Sequence, residues 1–285
     1  MKKAQAGIGR ASFLIITIGL NPEETMSHCP EFDFHIHTRY LGCANATMEI
    51  PAIVNECRRV GVKSLAITDH LNRLEFLPKH RPILNDIRAL SEPGLEVYFG
   101  VELNFTGCDE GFAFNTEIKE EYGFQFAIGG IHGTYLKEYD LAKLVEIQHR
   151  HHLKTCEDPL VEVLVHPYWF GTREFENNQW PWFASMKAVP DSYVRELGQT
   201  ARETGTAIEI NASTNLEFSR FPESYVKEYI EYLGRLAEEG VTFSPASDSH
   251  DINSLQRISS AWKVIEALRI PPERVWRPGV KPLKK

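Results

Sequence analysis

Glu31-Phe32-Asp33-Phe34-His35-Ile36-His37-Thr38 decides how the remaining sequence is read. Apolar Phe32, Phe34 and Ile36 alternate with Asp33, His35 and His37, and a period of two is the signature of a half-buried strand. That period places His35 and His37 on one face, where two imidazoles can share a cation. An isolated His-x-His also occurs on ordinary polar strand faces, so its meaning depends on what stands at the other strand ends.

Outward from this strand, the chain repeats one pattern. A loop with Arg39, Gly42 and Cys43 leads to helical spacing at Ile50, Ile53, Val54 and Cys57, ended by Gly61. The short apolar run Lys63 to Ile67 then ends in Thr68-Asp69-His70. A helix around Ile83 to Leu90 precedes a strand from Leu95 to Leu103 that contains Gly100-Val101-Glu102, and a strand from Gln125 to Ile131 ends in His132. Helical spacing at Leu141, Leu144, Val145 and Gln148 precedes Leu160 to Val165, which ends in His166-Pro167. Helices over Tyr193 to Glu203 and Ser224 to Glu239 feed Ala207 to Asn211 and Val241 to Ser244, the latter followed by Ala246-Ser247-Asp248-Ser249-His250. Seven short apolar strands alternating with helices predict an α/β fold with a parallel sheet covered by helices. The stretches Phe105 to Tyr122 and Tyr168 to Phe183 break the alternation and read as long loops; the aromatics of the second either pack beneath the loop or face a substrate.

In a parallel barrel the carboxyl ends of the strands converge on one face, which is where such barrels carry out chemistry. Those ends carry His35, His37, His70, Glu102, His132, His166, Asn211, Asp248 and His250, so six of the chain's 11 histidines lie there. Imidazoles and carboxylates gathered at one rim are costly to bury without cations. This donor set suits Zn, Mn or Fe, and it exceeds what one tetrahedral ion takes, so at least two divalent ions are expected. His149, His151 and His152 follow Gln148 near an expected helix end and read as solvated, while His28 and His80 lie away from any strand end.

Composition narrows the partners. The 285 residues carry a net charge of −8, which gives no basic footprint for duplex nucleic acid. Five cysteines without C-x-x-C spacing indicate neither a disulfide framework nor a zinc ribbon, and fit a reducing, cytoplasmic setting. Residues 1–25 hold Met1-Lys2-Lys3 and an apolar run from Ala11 to Leu20; the run is shorter than the ~20 residues a membrane span takes and lacks a small-x-small cleavage site. They are expected to lie outside the fold, with one domain over 26–285. The basic tail Val280 to Lys285 reads as a solvated end.

The strand-end motifs Asp33-Phe-His-Ile-His37-Thr, Ile67-Thr-Asp-His70, Gly100-Val-Glu102, Gly130-Ile-His132, His166-Pro and Ser247-Asp-Ser-His250 resemble, in order, those of the PHP (polymerase and histidinol phosphatase) superfamily. Ile208-Glu-Ile-Asn211 resembles its stand-alone phosphatase-like branch. The resemblance implies a distorted seven-stranded, TIM-like (β/α) barrel with a trinuclear site, and so two to three divalent ions. His35, His37 and Asp248 would hold one ion, Glu102 would bridge to a second held by His132 and His166, and His70 and His250 would hold a third. The family usually places a histidine six residues beyond the His-x-His pair; here Cys43 stands there, and thiolate also binds zinc.

The implied activity is hydrolysis of a phosphoester by metal-bound hydroxide, with a small phosphomonoester such as histidinol phosphate as substrate. Arg39 is a candidate phosphate clamp and Asn211 a candidate orienting residue. Alternatives are a phosphodiesterase or nuclease acting on short nucleotides, an amidohydrolase-type enzyme, whose sites commonly use a carboxylated lysine that no strand end here supplies, and a barrel whose metals are only structural.

Overall fold

The computed structural model describes residues 30–285; the expectations for residues 1–25 and for His28 fall outside the described residues. The strands are β1 (Phe32–Ile36), β2 (Ser64–Ile67), β3 (His70–Leu71), β4 (Glu96–Phe99), β5 (Val101–Asn104), β6 (Ala127–Gly130), β7 (Val163–Leu164), β8 (Ala207–Asn211) and β9 (Phe243–Ala246). They pair in parallel as β1-β2-β4 and as β3-β5-β6-β7-β8-β9.

The nine segments are seven passages of the chain, because β2 and β3 are one passage interrupted at Thr68-Asp69 and β4 and β5 are another interrupted at Gly100. Backbone bonds cross both interruptions: Gly100 N donates to Ile67 O at 2.9 Å and Glu102 N to Asp69 O at 3.1 Å. Just past β9, Asp248 N donates to His35 O at 2.9 Å and His37 N to Ser249 O at 3.1 Å, which joins the last passage to the first. The result is the distorted seven-stranded barrel that the alternation and motif order imply.

A cluster of Phe32, Phe34, Ala66, Tyr98, Phe126, Ile128, Val163, Val165 and Ala207 draws on successive passages and so fills the barrel lumen. Ile36 belongs instead to the larger cluster beneath the helices. Simple alternation would put Ile36 with Phe32 and Phe34. The reason it differs is a bulge, since pairing with β2 shifts register between Asp33 and Ile36. The bulge leaves the lumen apolar up to Phe34 and then turns His35 and His37 inward above it.

Helices α1 (Ile50–Val60), α2 (His80–Ala89), α3 (Thr116–Tyr122), α4 (Leu141–Glu157), α5 (Thr172–Asn178), α6 (Asp191–Thr204), α7 (Glu223–Glu238) and α8 (Ile258–Ala267) surround the strands. Each longer helix buries one stripe, as in α1 with Ile50, Ile53, Val54 and Cys57. Gly61 ends α1 at φ 92°, in the left-handed region that glycine enters without steric cost.

Three expectations need correction. The presumed loops contain α3 and α5, and Tyr168, Phe170, Phe175 and Phe183 are buried, so much of that aromatic run is packing. His149, His151 and His152 are buried because α4 continues to Glu157, which places them mid-helix against the barrel. The tail is not a free end: Leu283 N donates to Val97 O at 2.9 Å, and Lys285 Nζ lies 3.0 Å from Glu96. No helix among the described residues is long and apolar enough to cross a membrane.

A Cβ added at Gly100 would stand 2.8 Å from the Phe126 ring in the lumen. Gly100→Ala is therefore expected to cost about 1–3 kcal/mol by overpacking and to lower the melting temperature by about 2–4 °C per kcal/mol. Thermal unfolding followed by circular dichroism checks this; an unchanged midpoint would show that the lumen can yield at this level.

Candidate metal centre

Each strand-end residue reaches the site by a local device. His35 lies in β1 and His37 just beyond it. His70 opens β3 directly opposite Glu102 of β5. His132 and His166 follow β6 and β7, and Asp248 and His250 follow β9. His166 (φ 29°) and Asp248 (φ 53°) hold left-handed backbone conformations that are uncommon outside glycine, although His and Asp enter them more readily than most residues. Such strain costs about 1–3 kcal/mol per residue and concentrates at functional sites.

The groups converge on Glu102, which is 0 % exposed. Its Oε2 lies 3.3 Å from both His35 Nε2 and His37 Nε2 and 2.6 Å from His70 Nδ1; its Oε1 lies 3.0 Å from both His132 Nε2 and His166 Nε2. Asp248 Oδ1 stands 3.2 Å from His37 Nε2 and 3.5 Å from His35 Nε2 and His250 Nδ1. Eight residues named from the strand ends, the six histidines with Glu102 and Asp248, are thus brought into one cluster.

Burial alone would push both carboxyls up, but the surrounding imidazoles prevail and hold Glu102 and Asp248 well below the ordinary range. Burial disfavours a charged His35, yet the Glu209, Asp248 and Glu102 carboxylates outweigh it and raise His35. His37 goes the other way, lowered by burial and by neighbouring His250 and His70. Adjacent groups with opposed protonation preferences suit a cluster arranged for cations in place of protons.

The donor set fits metal ions on geometry as well. One ligand atom from each of His35, His37 and Asp248 lies within 4.8 Å of the others; so do atoms of His70, Glu102 and His132, and atoms of His37, Cys43, His70 and His250. His37 Nδ1 is buried without a hydrogen-bond partner, a state that native interiors seldom leave unsatisfied.

Around these groups lies a layer of buried acids that the sequence reading passed over. Glu209 Oε1 lies 2.6 Å from His35 Nδ1, while its Oε2 accepts from His166 N at 2.7 Å and from Asn211 Nδ2 at 2.9 Å. Asn211 Nδ2 also donates to Asp248 Oδ2 at 3.1 Å. One β8 carboxylate thus orients donors from three passages. Its spacing of two from Asn211 was the available signal. Asp33 Oδ1 accepts from His35 N and Ser247 N, which braces the β1 bulge, and Asp69 accepts from Thr38 N and Oγ1. Burial pushes both carboxyls up to about 7.

The other candidates sit differently. Arg39 stands on the rim, 46 % exposed, with Nε 3.2 Å from Glu49. The remaining histidines have structural partners: His149 stacks on Tyr193 at 4.0 Å, His152 Nε2 lies 3.0 Å from Gln148 Oε1, and His80 is buried beside Asp69 O.

Comparison with known proteins agrees with this arrangement. The PHP domain model matches residues 33–213. The Escherichia coli K12 protein named "Probable phosphatase YcdX" is 22 % identical over 244 residues, covering 85 % of this chain and 88 % of that protein, and its Shigella dysenteriae counterpart matches to the same extent. Among solved structures, histidinol phosphate phosphatase from Lactococcus lactis, complexed with zinc, L-histidinol and phosphate, superposes with a TM-score of 0.60 at 16 % identity, covering 84 % of this chain and 94 % of that one. That likeness establishes the shared fold. With a match over most of the barrel and its motifs gathered at one mouth, this chain belongs to the PHP domain family.

Proposed function

We propose that the protein is a metal-dependent phosphoric ester hydrolase that acts on a small phosphomonoester, within a single domain spanning residues 26–285. The observation that carries this reading is Glu102: a fully buried carboxylate with imidazoles against both oxygens would serve as a shared ligand for neighbouring cations. His35, His37 and Asp248 would hold one ion, His132 and His166 would share Glu102 at a second, and His70, His250 and Cys43 would hold a third. Zinc, manganese or iron suits these donors. When bound, such ions supply Lewis acidity toward phosphoryl oxygens and toward water.

The chain's own residues fix the geometry. Glu209 accepts from His35 Nδ1 and so leaves Nε2 to face Glu102 and Asp248, the tautomer a ligand needs. Asn211 turns Asp248, and the Thr38–Asp69 bonds lock the turn after His37 to the turn before His70. Arg39, two residues beyond His37, would exchange Glu49 for a substrate phosphate oxygen at the rim.

The relatives support the substrate class. The matched bacterial proteins are named as phosphatases, and the Lactococcus lactis structure holds L-histidinol and phosphate. Histidinol phosphate and similar small monoesters are accordingly the first substrates to test, and the free cysteines fit a reducing compartment.

A panel of phosphomonoesters and phosphodiesters assayed with the metal-loaded protein is expected to give phosphate release chiefly from monoesters; turnover confined to dinucleotides would overturn the assignment. His166→Ala and Asp248→Asn are expected to abolish turnover while circular dichroism stays native, and near-full activity in either would refute the ligand roles. Glu209→Gln can satisfy only part of its acceptor duty, so metal affinity measured by chelator competition is expected to fall about 10–100-fold; unchanged affinity would remove Glu209 from the account.

A further inference from the structure

We infer that Cys43 is a peroxide-sensitive ligand, so that oxidation of its sulfur releases one ion from the outermost position of the centre. This rests on the third cation position proposed above and adds a modification site to it.

One ligand atom from each of His37, Cys43, His70 and His250 falls within 4.8 Å of the others. His37 is 0 % exposed, its Nδ1 has no hydrogen-bond partner, and its ring stacks on His70 at 4.4 Å and on His250 at 4.1 Å. Cys43 is carried to this group by a built loop. Gly42, at φ 80°, turns the chain after Arg39, and Asn45 N donates to His250 O at 3.0 Å, tying the segment to the element that supplies His250.

This set differs from the inner ones in access and in chemistry. His35, His37 and Asp248 are all buried, whereas the His70 and His250 side chains are 15 % and 37 % exposed and Cys43 is exposed. Cys57 and Cys156 are buried. The inner positions use carboxylates as their anionic donors. The third position, as proposed, would add a thiolate to the His70 and His250 imidazoles, and a sulfur donor favours zinc over manganese.

Hydrogen peroxide, or another small hydroperoxide, reaches such a sulfur from solvent. The thiolate attacks one peroxide oxygen, an S–O bond forms, the O–O bond breaks and hydroxide leaves with the bonding pair. Sulfur is oxidised by two electrons and the peroxide is reduced. The product is a sulfenic acid, neutral where the thiolate was anionic, so the position loses the charge that held its ion. A thiol reductant regenerates the thiolate through a mixed disulfide and water.

The test uses the reduced full-length protein loaded with zinc, with metal counted before and after a stoichiometric pulse of hydrogen peroxide and release read by a chromogenic chelator. Wild type is expected to release about one ion per chain as Cys43 gains one oxygen by mass spectrometry, and to rebind it after thiol reduction and zinc addition. Cys43→Ser is expected to hold one ion fewer before any peroxide, and Cys43→His to hold the full complement and keep it through the pulse. Retention of every ion while Cys43 is oxidised, or equal release from Cys43→His, overturns the inference and leaves the hydrolase reading standing. Equal zinc content in reduced wild type and Cys43→Ser removes Cys43 from the third position and overturns the inference with it, whereas a wild type that binds no zinc fails the functional reading as well.

Discussion

A single buried carboxylate sets the terms for this molecule. Glu102 has imidazole nitrogens from five histidines within 3.3 Å of its two oxygens and is shielded from water. Without cations such a cluster sets donors against donors and desolvates charge without full compensation. With cations between them, the same atoms become a matched ligand set. The strained backbone at His166 and Asp248 and the bulge in β1 are the conformational cost of aiming these side chains at one point.

The barrel makes that convergence possible. Parallel strands deliver their carboxyl ends to one mouth, and bonds from Asp248 and His37 across the β1–β9 seam hold the first and last motifs in register. Below the mouth, the apolar lumen of Phe32, Phe34, Tyr98 and Phe126 keeps water from the floor of the site. Between the floor and the histidine cluster lie Asp33, Glu209 and Asp69, which bond the segments carrying the candidate ligands to one another. The centre is therefore built in layers, apolar packing first, then buried acids, then the donors, and the outermost layer at Cys43 and His250 meets solvent.

Much of this was legible in the sequence because the clustered His, Glu and Asp side chains sit where apolar runs stop, and a run that ends in His or Asp marks both a strand and a place where polar groups can gather. What escaped did so for physical reasons. Glu209 looked like any acid in a strand, since its partners His35 and His166 are distant in the chain. The β1 bulge preserved the two-residue spacing of His35 and His37 while reversing the side on which Ile36 packs, and no residue type announces that. His149 to His152 were misplaced because no glycine or proline marks where α4 continues. The docking of the tail against Val97 depends on backbone bonds that local composition does not encode.

Anomalous diffraction from crystals of the metal-loaded protein, collected at the absorption edge of the bound metal, addresses the role of Glu102 most directly. At least two anomalous peaks are expected, each about 2.0–2.3 Å from a Glu102 oxygen or a histidine nitrogen of the cluster, with Glu102 contacting both ions. An absence of anomalous density around Glu102, or ions bound only at surface histidines, would contradict it.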